Sequence, residues 1–482
     1  MKNSYAIPNE KIQERLRFEN PWWETGTASA GMKELPKRLY FKQFYPLLTD
    51  RAVKRAVIVV GPRRAGKTVM MHHAIDTLIT EGATPARKIF YIGIDNPVYI
   101  NLSLDDLLKQ SLLASGSDKP EGCFVFFDEI QYLRDWERHL KVMVDSYPET
   151  KFVVTGSAAA ALQAKSTESG AGRFTDFLLP PLTFQEFLHL QNLTHLLKPT
   201  EVDYGGSKLP FFSAVNIKQL NELFFQYINY GGYPEVIFAE GIKENMSRFI
   251  RNDIIDKVLL RDLPALYGIK DMQELYRFFA HLAYHSGKEF SPEKLSKDSG
   301  LDKVLLKKYL EYLESAFLIK VLHKVDEKAS SFKRITAYKI YLTNPSLRTA
   351  LFSPVAATDD EAGNMVETAI IAQWMHRGNL NLRYARWKQG RSEGEVDLVN
   401  LNDLQQKPIW AIEIKWSNRY VEKPNELKSV LEFCRNNHLK AAVITTIDKE
   451  QQTDIKDVQL AYFPAAVYAY VVGNNTLKQK EE

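Results

Sequence analysis

Ala56-Val57-Ile58-Val59-Val60-Gly61-Pro62-Arg63-Arg64-Ala65-Gly66-Lys67-Thr68 decides the fold. Five apolar residues read as a buried strand, two glycines bound a loop, and Lys67-Thr68-Val69 lead a helical stretch that runs to Ile79. Strand, glycine-bounded loop and helix start form the setting in which such a loop holds phosphate. Glycines let backbone N–H groups turn inward, and the helix N-terminus adds its own. Lys67 then reaches the β- and γ-phosphates of a nucleoside triphosphate, and the Thr68 hydroxyl holds Mg2+. The expected nucleotide contacts are Gly61, Pro62, Arg63, Arg64, Ala65, Gly66, Lys67, Thr68 and Val69, with ATP and Mg2+ as cofactors. Main chain makes the cradle, so the side chains of Arg63 and Arg64 are expected to face solvent or a partner.

Outward from the loop, apolar strands over 56–60, 88–93, 123–127 and 151–155 alternate with helices over 66–81, 104–114 and 134–146. That alternation predicts a parallel sheet covered on both faces, the α/β core of a P-loop NTPase. Phe124-Val125-Phe126-Phe127-Asp128-Glu129 ends a strand on two carboxylates. Carboxyl ends of parallel strands face the ligand. Asp128 is therefore expected to hold Mg2+, and Glu129 to act as general base on water. The next strand ends in Thr155-Gly156-Ser157, where a hydroxyl, with Ser157 as the candidate, senses the γ-phosphate or positions water, or else the segment is a plain turn. Arg173, before Phe177-Leu178-Leu179, is either a finger on developing negative charge or a surface arginine. A finger acting on a neighbour's nucleotide demands a ring or at least a dimer; a cis finger allows a monomer. His72 and His73 read as packing or surface residues.

The 482 residues leave room for about three domains. A net charge of +4 excludes a histone-like protein and allows a local basic patch. Cys123 and Cys434 lack Cys or His neighbours at metal-ligand spacing, which suits a reducing cytosol and predicts no zinc site. The polar N-terminus is unlike a signal peptide, and no apolar run is long enough to cross a bilayer.

The remaining organisation is read as an arm over 1–35, the P-loop core over 36–190 and a helical lid over 191–285. A winged helix over 286–349 and a last α/β unit over 350–482 follow. Residues 190–215 contain Pro199, Gly205, Gly206 and Pro210 and read as an exposed, inserted loop. Ser291-Pro292 starts a helix, Ser299-Gly300 a turn, and helix 302–316 precedes strand-like runs over 317–325 and 334–342. Such a helix enters a DNA major groove in winged helices. Lys303, Lys307 and Lys308 on it, with Lys328, Lys333 and Arg334 in the wing, either grip phosphates or form a solvated face on a packing module.

In the last unit Glu367 lies on a helix, and Glu395-Val396-Asp397 and Trp410-Ala411-Ile412-Glu413-Ile414-Lys415 lie on neighbouring strands. Residues two apart share a strand face. Glu413 and Lys415 therefore point together, and Asp397 can join them across a hairpin. Asp397 and Glu413 would clamp a divalent cation, Lys415 would stabilise charge, and Glu367 would add a ligand or base. The alternative is a half-buried hairpin with a charged, solvated face.

These motifs, with Pro181-Leu182-Thr183-Phe184-Gln185-Glu186-Phe187, Arg261-Asp262-Leu263 and Lys339-Ile340-Tyr341-Leu342-Thr343-Asn344, resemble prokaryotic AAA-type ATPases that carry a C-terminal domain of unknown function. The closing motifs are similar in turn to the PD-(D/E)xK nuclease superfamily. The resemblance implies ATP binding with hydrolysis, a helical lid, a winged helix and a restriction-endonuclease-like tail. Asn344 departs from the family's usual aspartate, and 190–215 is longer than usual. Two functions follow from the whole reading. Either nucleotide state controls a C-terminal half that acts on DNA, or the chain is an ATP-dependent switch whose inactive tail binds a partner.

Overall fold

β1 (Ala56–Val60) is buried at all five positions, as its composition requires. It pairs in parallel with β4 (Lys151–Gly156) on one side and β5 (Phe174–Leu178) on the other. Beyond β4 lie β3 (Phe124–Asp128) and then β2 (Ile89–Gly93), also parallel. The sheet order is thus β2-β3-β4-β1-β5. Helix Lys67–Thr80 follows the loop after β1 and buries Met70, Met71, Ala74, Ile75 and Leu78, a stripe at helical spacing. Helix Leu104–Ser115 begins with a capping box in which Ser103 and Asp106 satisfy each other's backbone N–H.

The computed structural model describes residues 7–28, 31, 34–82, 84–156, 172–238, 241, 245–325, 337–378, 380–389 and 392–478. They divide into two compact units, with the boundary between Pro180 and Pro181. In the first, the N-terminal arm has a clear task. Asn20 accepts from the Tyr91 N–H at 2.6 Å and donates to the Tyr91 carbonyl at 2.8 Å, while Trp22 and Trp23 both donate to the Ile89 carbonyl. Helix Asn9–Glu19 and these side chains close the open edge of β2, which an unpaired strand otherwise offers to other chains.

The second unit opens with helix Phe184–Leu190 and a hairpin of β6 (Leu197–Tyr204) and β7 (Ser207–Ala214). This corrects the reading of 190–215 as a loop. Gly205 and Gly206 carry φ of +60° and +83°, the two left-handed residues of a tight hairpin turn. Helix Ile217–Tyr230 follows. Phe184, Phe224 and Tyr227 share a core with Ile370 and Ile371 of helix Ala362–Trp374 and Val467 of helix Ala465–Lys478. The segment expected as a lid therefore packs with the tail helices.

Helices Pro292–Ser299 and Lys303–Ser315 lead into an antiparallel sheet, β8 (Glu289–Phe290), β10 (Tyr338–Leu342) and β9 (Ile319–His323), in the order β8-β10-β9. The tail sheet runs β11-β12-β13-β14-β16-β15, from β11 (Asn381–Gln389), β12 (Ser392–Leu401), β13 (Pro408–Glu413), β14 (Ala441–Thr446), β15 (Gln451–Ile455) and β16 (Val458–Pro464). Among the described residues no helix is long and apolar enough to cross a membrane.

Candidate functional site

The loop after β1 turns on Arg64 and Gly66, whose φ values are +63° and +92°. Only glycine adopts the second without strain. At Gly61 a Cβ would come within 2.1 Å of the Leu179 carbonyl oxygen, so this position too admits no side chain. Lys67 opens the helix and is 6% exposed, with its ammonium donating to the Gly61 and Pro62 carbonyls at 3.1 and 3.0 Å. Arg64 is exposed and Arg63 half-buried.

Asp128, at the carboxyl end of β3, gathers three hydroxyls. Its Oδ2 accepts from Thr68 at 2.7 Å and from Tyr91 at 2.7 Å, and its Oδ1 accepts from Thr155 at the end of β4. Thr155 also accepts the Glu129 N–H at 2.9 Å. Glu129 itself has a left-handed φ of +55° and its carboxylate takes a hydrogen bond from Gln131. Expected residues from β1 and β3 thus converge at one end of the sheet. Thr68 and Asp128 offer two adjacent oxygens to a hard cation, and Lys67 stands one residue away, so the donor set fits Mg2+ with a polyphosphate.

Two residues here, Tyr91 and Arg38, went unread in the sequence, and Thr155 was read only as part of its strand end. The Tyr91 phenol, raised in pKa by burial and by Asp128, remains a donor, and the His72 ring packs against it, tilted by 39° with ring centres 4.6 Å apart. Arg38, buried, donates to the Ala65 carbonyl at 2.6 Å and the Pro180 carbonyl at 3.0 Å, bracing the loop from behind. Thr155 supplies the strand-end hydroxyl expected of Ser157, which lies outside the described residues.

Arg173 is not brought to this site. Its carbonyl accepts from Ala56 N–H at the start of β1, and its guanidinium pairs with Asp145. Four residue steps separate Ala56 from Val60, so it sits at least roughly 13 Å from the loop. A cis finger is therefore replaced by a surface ion pair.

In the second unit, Leu398 lies opposite Ile412, which sets Asp397 beside Glu413 as expected of the hairpin. Asp397 Oδ2 accepts the Ile414 N–H at 2.8 Å and lies 3.3 Å from the Lys415 Nζ; that ammonium is 2.7 Å from Glu413 Oε1. Thr445 fixes Lys415 by bonding both its N–H and its carbonyl. Glu367 joins from its helix, accepting from the Tyr341 hydroxyl at 2.6 Å. The unexpected member is Lys339 of β10, whose Nζ lies 2.7 Å from Glu395, 3.3 Å from Glu367 and 3.8 Å from Asp397. Its only sequence signal is a lysine inside the otherwise apolar Tyr338–Leu342.

Electrostatics follow from burial. Burial and the Asp397 charge push the Glu413 carboxyl up to about 8 despite Lys415. Burial likewise raises Glu367. For Asp397 burial is outweighed by Lys415, Lys339 and the Ile414 N–H, and its pKa falls. Burial opposes the Lys339 charge, but Glu367, Asp397 and Glu395 outweigh it and raise its pKa. As arranged, the cluster does not fit a resident divalent metal: two ammonium groups stand among the carboxylates. Among the described residues no three His, Cys, Asp or Glu form a metal-holding group. The expected Asp397–Glu413 pair is brought together, with the ammonium groups of Lys415 and Lys339 among its carboxylates.

On helix Lys303–Ser315, Lys307 and Lys308 are exposed, with Lys307 3.8 Å from Glu311, and Lys303 pairs with Glu293 at 2.7 Å. Lys328, Lys333 and Arg334 lie outside the described residues. Asn344 caps the following turn, accepting from the Ser346 N–H and hydroxyl.

Known proteins bear on these sites. Residues 53–188 match a family model described as an AAA domain, which supports an AAA-type ATPase. Residues 221–358 and 362–465 match two models, each described as a domain of unknown function. The chain is 23% identical over 410 residues to an uncharacterized protein of Haemophilus influenzae, covering 84% of this chain and 92% of that one. It is 24% identical over 380 residues to an uncharacterized protein of Methanocaldococcus jannaschii, covering 77% of each. Among solved structures it is similar to the Aeropyrum pernix ORC1 protein in complex with DNA, at 10% identity and a TM-score of 0.33, covering 66% of this chain and 93% of that one. A likeness that low carries no argument about function.

Proposed function

We propose that this protein is a Mg-dependent ATP hydrolase whose nucleotide state governs a winged-helix and nuclease-like C-terminal half acting on DNA. The observation that carries the ATPase reading is the Thr68 hydroxyl 2.7 Å from Asp128, one residue from Lys67. Bound Mg2+ would offset the charge of the phosphate oxygens, held by Thr68 and Asp128. Lys67 would exchange its two carbonyl partners for phosphate oxygens. Glu129 would take a proton from the attacking water, with Thr155 fixing its backbone. Arg173 keeps a role in this reading only on a neighbouring copy's nucleotide.

Lys67→Ala is expected to weaken nucleotide binding. Glu129→Gln is expected to retain binding and lose turnover by roughly a hundredfold or more, as removal of a general base does. Unchanged turnover in Glu129→Gln rejects that residue as the base.

The helices Pro292–Ser299 and Lys303–Ser315 with the antiparallel β8-β10-β9 sheet support the winged-helix reading, and exposed Lys307 and Lys308 suit phosphate contact. A second reading, a switch whose tail binds without cleaving, is favoured by the two ammonium groups within the carboxylate cluster. Digestion of plasmid and single-stranded DNA with Mg2+ or Mn2+ separates them. Cleavage lost in Asp397→Ala and Lys415→Ala supports the first; intact ATP turnover without cleavage supports the second.

A further inference from the structure

We infer that Lys339 is an internal counter-cation that fills the cation position of the tail's carboxylate cluster and excludes a divalent metal while β10 is docked there. The inference rests on the reading of Asp397 and Glu413 as a nuclease-type clamp.

Four carboxylates converge from three elements: Glu367 from its helix, Glu395 and Asp397 from β12, and Glu413 from β13. Glu367, Asp397 and Glu413 are buried or nearly so, and their charge must be neutralised by protons, cationic side chains or a metal; Glu395, half-buried, also lies 3.6 Å from Arg386. Lys415 comes from the same hairpin and serves Glu413 and the Oδ2 of Asp397. Lys339 comes from a different sheet. Its side chain is 4% exposed, and it faces the other oxygen of Asp397 together with Glu395 and Glu367. A cation shared by those three carboxylates would have to displace its ammonium. Tyr341, two residues on and therefore on the same face of β10, holds Glu367. One strand thus supplies both the charge and the hydrogen bond that occupy Glu367.

A second observation points to a site made for more than an ion pair. Glu413 Oε2 is buried and has no hydrogen-bond partner. That oxygen keeps an acceptor position that no donor among the described residues uses. A metal could use it once Lys339 leaves.

The test is Mn2+ titration of the nucleotide-free full chain, read by electron paramagnetic resonance. Wild type, Lys339→Met and Lys339→Gln are compared, each with and without Asp397→Asn. The expected result is no Asp397-dependent site in the wild type below millimolar Mn2+. A site at least about tenfold tighter is expected in the Lys339 variants, since removing one partner leaves buried charge uncompensated. An equally tight, Asp397-dependent site in the wild type overturns the exclusion and leaves the clamp standing. No Asp397-dependent site in any variant with native far-ultraviolet dichroism overturns both. A wild-type measurement stands apart from those variants: acylation of Lys339, followed by peptide mass, is expected to rise at millimolar Mn2+. Acylation that Mn2+ leaves unchanged or lowers overturns the inference.

Discussion

Arg38 shows how much of a phosphate loop's shape is set from outside the motif. Its guanidinium binds the Ala65 and Pro180 carbonyls in a buried position, so Arg38→Ala strands two acceptors. The expected loss is about 1–3 kcal/mol of stability. Nucleotide affinity should fall with it, and Arg38→Lys should rescue only partly because an ammonium lacks the fork. Thermal unfolding and nucleotide titration check both. Glu413 carries a pH signature. Its carboxyl rises from 4.5 to about 8 in the fold, so the folded protein holds a proton that the unfolded chain has lost. That stabilisation is complete below 4.5 and disappears as pH climbs through about 8. Between those limits the wild type should lose stability relative to Glu413→Gln, as urea unfolding at a series of pH values will read. The residues of the phosphate loop and the Asp128-Glu129 pair were legible because their chemistry is local in sequence. Lys339 and Tyr91 were not, because each acquires its role from a strand neighbour that only tertiary pairing supplies.

At the scale of elements, β1 to β4 were legible to within a residue, since buried parallel strands are written as unbroken apolar runs; β5, with Thr175 and Asp176 inside it, showed only its Phe177-Leu178 end. The 197–214 hairpin was missed for the opposite reason. Pro199, Pro210 and many exposed polar residues mask it, and only Gly205-Gly206 between alternating apolar positions signals the turn. Replacing Gly206 by Val should destabilise the hairpin by about 1–2 kcal/mol, the cost of a left-handed conformation for a side chain with a Cβ. Substituting Ala for Asn20 tests the edge of β2. The change unpairs both the N–H and the carbonyl of Tyr91. We expect a lower melting temperature and more light scattering on heating, as an opened strand edge templates association.

For the molecule as a whole, two units with separate cores predict two unfolding transitions rather than one. ATP with Mg2+ should raise only the transition of the unit that carries the P-loop. Saturation a hundredfold above the dissociation constant adds about 2.7 kcal/mol. In Lys67→Ala the shift should vanish. A calorimetric trace in which both transitions move together would contradict this assignment. The division after Pro180 was only partly visible beforehand, because helices at 184–190 and 217–230 are apolar on one face and their sequence does not say which core they join.

The reach of Lys339 from one sheet into another has a practical outcome for anyone dividing the chain. A recombinant tail begun at residue 350 would keep Lys415 beside Asp397 and Arg386 beside Glu395 but lose the Lys339 ammonium that Glu367, Glu395 and Asp397 share, and its long helices would lose the aromatic cover of Phe184 and Tyr227. Insolubility or spurious metal affinity in such a truncation would report the cut rather than the native protein.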